Sequence, residues 1–242
     1  MSAQTSAQPQ ENSAQPQENN EEEAQPSYRV MLRPIATSLP LGFFAFTVGT
    51  VLLTAMELRW VPMTQDSQLL LFVIAFVAPL EALSGVFSFL ARDSGAATGL
   101  STLSAAWLAI SLVMMQGAPG ARSVPLAVFL LTLTPLMLVL AATALSGKPL
   151  FGLLLLIGGI RFALTGVYQV TGSSAVEQTA GWLGVPLAVF ALYGGLALLL
   201  EEGNQRLTLP LGRRGRARTS LEGTFAHQVS QSEQEPGIRR QL

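Results

Sequence analysis

The chain has 242 residues, half of them hydrophobic and only 12% charged, about half the charged share of an ordinary soluble protein. A formal net charge of −1 leaves no basic excess to neutralise phosphates, which argues against a nucleic-acid partner. There is no cysteine, and the single histidine, His227, sits in the C-terminal tail, so disulfides, thiol catalysis and histidine or thiolate metal sites are excluded from the body.

Residues 1–35 form a polar tail in which Ser-Ala-Gln-Pro-Gln-Glu-Asn occurs twice, at Ser6–Asn12 and Ser13–Asn19, before the acidic run Glu21-Glu22-Glu23. Seven residues is the coiled-coil period, but each repeat carries Pro and no large apolar residue, so the composition predicts disorder and the repeat reads as sequence duplication. Thirty mostly polar residues precede any apolar stretch, which is not the layout of a signal peptide. The last stretch, 206–242, is a second polar tail. It opens on Arg206, Arg213, Arg214, Arg216 and Arg218, which either fix orientation or meet anionic lipid headgroups.

Between the tails, residues 36–205 are apolar, and only ten charged residues lie from Leu39 to Leu200. Crossing roughly 30 Å of hydrocarbon takes about 20 mainly apolar residues in a helix. Six stretches meet that length, at Pro40–Glu57, Leu69–Leu90, Ala96–Met115, Val124–Leu145, Pro149–Val170 and Ala180–Leu200. The predicted fold is therefore an all-α integral membrane protein of six transmembrane helices with disordered polar tails. Unbroken runs of this length do not match the alternating ten-residue segments of a transmembrane barrel. Arg29, Arg33, Arg92, Lys148 and the five tail arginines fall on one side, and Arg59 and Arg122 on the other. That asymmetry predicts both termini on the cytoplasmic side of the cell (plasma) membrane.

Two pairs of segments resemble each other: Pro40–Thr47 with Pro125–Thr132, and Ala82–Phe87 with Ala163–Tyr168. A 3+3 inverted repeat, as in many transporters, is one reading, and chance similarity between apolar segments is the other.

Charges in the spans need partners. Glu81 and Arg161 fall in the middle of the second and fifth spans, where an unpaired charge costs several kcal/mol. Counted from the same side, their depths differ by about one helical turn, which lets them pair. The pair is either structural glue or an arginine that receives a substrate carboxylate, with Glu81 as counter-ion or proton carrier. Gly95, Gly99, Ser101, Thr102 and Ser104 give the third span a small-residue face, for close packing or a polar pore lining. Pro79 and Pro186 predict kinks or breaks. Trp60, Tyr168 and Trp182 fall at the far interface as anchors, while Trp107 and Tyr193 lie deeper, at a helix contact or a pore.

The last span and its exit carry Ala180-Gly181-Trp182-Leu183-Gly184, Ala191-Leu192-Tyr193, Glu202, Arg206 and Leu209-Pro210-Leu211-Gly212. With Pro40-Leu41-Gly42-Phe43 and Phe46 at the start, and Gly85 and Trp107 in register between, the region from Leu39 to Gly212 resembles the acetate uptake transporter family, also called the YaaH-like acetate/succinate transporters. The resemblance implies a hexamer of six-helix protomers, each with its own pathway for acetate or other short carboxylates, commonly moved with a proton. It also implies a hydrophobic constriction, one member of which falls on Phe46. A Tyr of that constriction is replaced here by Leu103 and a Leu by Gly158, which widens the gate. The family signature's Asn and first Pro are replaced by Thr37 and Ser38, and a Glu of the last helix by Leu198. Glu81 and Arg161 are additions to the family pattern.

The expected function is membrane transport of acetate or related short carboxylates with a proton. The candidate pathway residues are Phe46, Glu81, Leu103, Gly158, Arg161 and Tyr193. The expected partners are the carboxylate, protons, membrane lipid and further copies of the chain, with no metal and no cofactor. Two other readings stay open: a passive channel for ammonia, urea or acetic acid, which needs only a narrow hydroxyl-lined pore, and a non-transporting scaffold or sensor acting through its tails. An enzyme is not expected, because the body clusters no His, Cys or Asp.

Overall fold

The computed structural model describes residues 36–204 and 208–214. The N-terminal repeat and acidic run, Arg29, Arg33, Arg206, Arg216, Arg218 and His227 lie outside the described residues. Within 36–204 there are six helices, α1 Leu39–Glu57, α2 Met63–Leu90, α3 Ser94–Gln116, α4 Val124–Leu145, α5 Pro149–Thr171 and α6 Ser174–Asn204, each long and apolar enough to cross a membrane. No strand occurs among the described residues. The chain is a multi-pass, all-α membrane protein.

Local chemistry sets the helix limits. Pro40, Pro125 and Pro149 occupy first-turn positions, where a missing N–H costs nothing. Ser123 Oγ accepts from the Leu126 N–H (3.3 Å) and Asp93 Oδ1 from the Ala96 N–H (3.2 Å), capping α4 and α3. α5 stops at Gly172, whose φ of 68° suits a residue without a Cβ. α6, at 31 residues, is about 46 Å long at 1.5 Å per residue, and it begins six residues before the apolar stretch that announces it.

Successive helices run in opposite directions, so Leu39 and Asn204 share one end of the bundle, the terminal end. There Lys148 pairs with Asp93, Thr37 N–H donates to Glu202 (3.3 Å) and Arg213 bonds Glu201 (2.7 Å). At the opposite, loop end Arg59 bonds Glu177 (2.7 Å) and Arg122 donates to the Val170 carbonyl (3.0 Å). Among the described residues the basic side chains thus sort as the sequence implies, with Arg92, Lys148, Arg213 and Arg214 at one end and Arg59 and Arg122 at the other.

α2 is not one regular helix. A 3-10 turn at Met63–Gln65 leads into Asp66–Phe72, a π turn spans Val73–Val77, and Ala78–Leu90 completes it. Pro79 lies one residue beyond the π turn, after Ala78; it has no N–H to give and its ring crowds the preceding turn, which a wider turn relieves. Ser104 Oγ donates to the Ala78 carbonyl beside it (2.8 Å). Pro135 and Pro186, in contrast, sit inside continuous helices. α5, which an inverted repeat would equate with α2, has no such turn.

α1 packs along α6, α2 along α3 and α4 along α5. Lipid is as apolar as leucine, so helices associate by close contact between small residues. On α6, Ala180, Gly181, Gly184, Ala188, Ala191 and Gly194 recur every three or four positions and are buried. A Cβ on Gly194 would lie 2.6 Å from the Phe43 ring, and one on Gly181 2.7 Å from Leu58. Large apolar side chains such as Phe72, Phe89, Val128, Val139 and Val189 point outward, where lipid satisfies them.

Candidate functional site

Two cavities, one open at the loop end and one within the terminal half of the bundle, share three wall residues. The loop-end cavity encloses ≈ 900 Å³, its open mouth included, and is walled at depth by Phe46, Leu53, Ile110, Leu130 and Leu187. The terminal-end cavity, ≈ 360 Å³, is lined by Gly42, Phe43, Leu100, Met137, Phe151 and Leu155. Phe46, Leu103 and Gly158 line both. α1, α3 and α5 therefore bring together at one level three residues that are far apart in sequence. Phe46 is held by an edge contact with Trp107, ring centroids 5.8 Å apart. Gly158 is the open side of the constriction: a Cβ there would meet nothing within 4 Å, whereas one on Gly159 would lie 3.1 Å from Met137 Cβ.

One turn beyond Gly158 toward the loop end, Arg161 lines the larger cavity. Its Nη2 donates to Glu57 Oε2 at 2.6 Å, and Thr165 Oγ1 donates to Glu57 Oε1 at 3.2 Å. The expected pairing of Arg161 with Glu81 is thus corrected. Glu57, at the last turn of α1, is the partner, because a long arginine stem reaches along the cavity toward the end of the bundle. The Gly181 and Gly184 of the α6 motif give the pair its room. A Cβ on Gly184 would meet Thr54 Oγ1 and lie 3.0 Å from Arg161 Cζ, and one on Gly181 would lie 3.1 Å from Glu57 Cβ. At the rim, Arg59 bonds Glu177 (2.7 Å) and stands 3.9 Å from Asp66. Tyr168 belongs to this rim, near Arg59 and Glu177, rather than to the lipid interface predicted for it. Trp60 and Trp182 are exposed at the loop end, as anchors would be.

Glu81 lies outside both cavity walls. It is fully buried, and neither carboxyl oxygen has a hydrogen-bond partner among the described residues. The indole N–H of Trp107 faces its carboxyl. Trp107 thus separates Glu81 from the larger cavity, which the indole itself helps to line. No cluster of three or more metal-ligating side chains occurs among the described residues.

Residues 21–213 match the GPR1/FUN34/yaaH family. The chain belongs to that family. The match spans the six helices and ends just past Leu209-Pro210-Leu211-Gly212, so the resemblance read from the last span is borne out. It is 22% identical over 182 residues to the succinate-acetate/proton symporter SatP of Escherichia coli K12, covering 74% of this chain and 96% of that protein, and equally to SatP of Shigella flexneri. The structure of the bacterial acetate channel SatP superposes with a TM-score of 0.66 at 23% identity, over 74% of this chain and 99% of that one. The fold is shared accordingly.

In this family member the C-terminal motif is a strap across the terminal end. Tyr193 Oη donates to the Pro210 carbonyl (2.9 Å), the Arg214 N–H donates to the Gly147 carbonyl (3.0 Å), and Arg213 bonds Glu201 (2.7 Å). Leu211 is buried against the bundle, in a pocket shared with Leu39, Phe43, Leu150 and Leu198. Tyr193, a candidate pathway residue, is placed away from both cavities and fastens this strap. Ser38, where the family signature has its first Pro, donates to the Ser84 carbonyl (2.9 Å), and Ser84 Oγ returns a bond to the Ser38 carbonyl (2.6 Å). The first turn of α1 is thereby tied to α2 by hydroxyls. Of the six candidates, Phe46, Leu103, Gly158 and Arg161 come together; Glu57, Thr165 and Gly184 join them unannounced.

Proposed function

We propose that this protein moves short carboxylates such as acetate and succinate across the cell membrane, each with a proton, both termini facing the cytoplasm. The observation that carries the reading is the meeting, at Phe46, Leu103 and Gly158, of a loop-end cavity and a cavity in the terminal half of a six-span chain. Membership of the GPR1/FUN34/yaaH family and the named activities of the SatP relatives supply the substrate class. The empty space beside Gly158 favours substrates longer than acetate, since nothing on that side narrows the passage. The wall around the shared level is mostly apolar, which fits passage of a small solute. Orientation follows the sorting of the basic residues. Self-association into a hexamer follows the family resemblance and suits the large apolar outer surface.

The test is uptake of labelled acetate and succinate by purified protein in liposomes, with and without an imposed inward proton gradient. Accumulation above the external concentration only with the gradient supports coupled transport. Equilibration indifferent to the gradient indicates a channel, and no flux of either carboxylate refutes the reading.

A further inference from the structure

Arg161 is only 5% exposed, and Glu57 satisfies just one of its nitrogens. The remaining guanidinium N–H groups make no hydrogen bond with any described residue, yet they are not sealed off, and the side chain lines the larger cavity. An arginine presents its donors as a planar fork that suits a carboxylate held by two parallel bonds. Glu57 leaves that fork half used. The site stands about 4.5 Å along α5 from Gly158, one turn from the shared level of the two cavities.

The charges around it restrict what can bind. The cavity wall carries two basic residues, Arg59 and Arg161, and three acidic ones, Glu57, Asp66 and Glu177. Glu57 faces Arg161 and Thr165 on α5, and Glu177 on α6 lies close enough to repel it. A further anion added to this set would leave an uncompensated negative charge in a low-dielectric site, at high cost. A carboxylic acid adds none.

We infer that Arg161 is the carboxylate receptor of the pathway and that Glu57 is a resident carboxylate that holds the arginine between turnovers and gives way to the substrate. The substrate enters as the acid. Its O–H proton passes to a Glu57 oxygen, and the carboxylate so formed takes the guanidinium fork. One O–H bond breaks, one forms, and the net charge of the site is unchanged. Thr165 retains the neutral Glu57 by its hydroxyl, so the exchange reverses when the substrate leaves. The inference rests on the carboxylate-transport reading and supplies its recognition site.

The experiment compares wild type, Glu57→Gln and the double variant Glu57→Gln/Arg161→Gln, which strands no charge. Each is checked for monodispersity in detergent and assayed for acetate binding by calorimetry and, in liposomes, for flux of acetate and of its neutral isostere acetamide. Glu57→Gln is expected to keep its acetate KM within about threefold and to lose gradient-driven accumulation. The double variant is expected to raise the acetate KM at least tenfold while acetamide flux stays within twofold of wild type. An acetate KM unchanged in the double variant, or equal loss of acetate and acetamide flux in a monodisperse preparation, overturns the inference. Wild type that binds acetate through Arg161 but does not move it refutes only the transport reading, and wild type that neither binds nor moves it refutes both.

Discussion

Gly158 and Gly159 are neighbours on α5 that the structure assigns opposite roles, and substituting leucine at each separates them. A Cβ at Gly158 has nothing within 4 Å, so leucine there enters the open side of the constriction without displacing a neighbour. Replacing a mid-helix glycine gains about 1 kcal/mol of helix propensity, and the open space beside Gly158 means that no overpacking offsets it. At Gly159 the same side chain starts 3.1 Å from Met137 Cβ and 3.4 Å from Leu138, where α4 and α5 already touch, and overpacking of that kind costs about 1–3 kcal/mol. Gly158→Leu, which restores the residue the family resemblance places there, is therefore expected to unfold at or above the wild-type temperature while succinate flux falls at least tenfold and acetate flux falls far less. Gly159→Leu is expected to unfold at a lower temperature. Thermal unfolding in detergent and liposome flux read the two quantities independently. Wild-type succinate flux through Gly158→Leu, or equal destabilisation by both substitutions, refutes the assignment of the constriction.

Gly184→Val puts a branched side chain into Thr54 and the Arg161 guanidinium, so the yield of folded protein should collapse on size-exclusion chromatography; a normal yield would show that α6 has room to move away. Tyr193→Phe removes the bond to Pro210 and should lower stability by about 1 kcal/mol and speed amide exchange across 208–214, with exchange elsewhere unchanged. Lys148→Gln breaks a pair in which both partners are about one-third exposed, and the loss should stay within about 1 kcal/mol, as seen in denaturant unfolding. Glu81→Gln leaves Arg161 with its Glu57 partner, so folding and detergent stability should stay close to wild type, and a large fall in unfolding temperature would mean that the Trp107 indole N–H or a group outside the described residues holds the Glu81 carboxyl.

The six spans were legible because membrane thickness fixes how many apolar residues a helix needs, and only α2 and α6 extend well past their apolar stretches. Polar Asp66-Ser67-Gln68 hides the start of α2, and Val176-Glu177-Gln178-Thr179 hides that of α6. That Phe46, Leu103 and Gly158 lie together was legible through the family resemblance, which assigned all three to one proposed constriction. The charge pairing was not. Counting residues inward measures where a Cα sits, but an arginine head lies several ångströms from its Cα, and Glu57 looked like an ordinary span-end charge. Ala180–Gly184 was read only as part of the family's last span, and only the structure shows that Gly184 faces a guanidinium. Tyr168 and Tyr193 mislead for a related reason: a tyrosine read as an interface anchor or as a deeper contact serves a rim or a strap equally well, and three-dimensional neighbours decide among them.

The central claim is that solute passes between the two cavities at Gly158, and the absence of native cysteine makes it directly measurable. A Gly158→Cys variant in liposomes, exposed to a small anionic thiol reagent, is expected to react from either side, to be protected by millimolar acetate, and to lose carboxylate flux once modified, while Tyr193→Cys modification leaves flux unchanged. A Gly158→Cys thiol that does not react, or that reacts without slowing flux, contradicts the account.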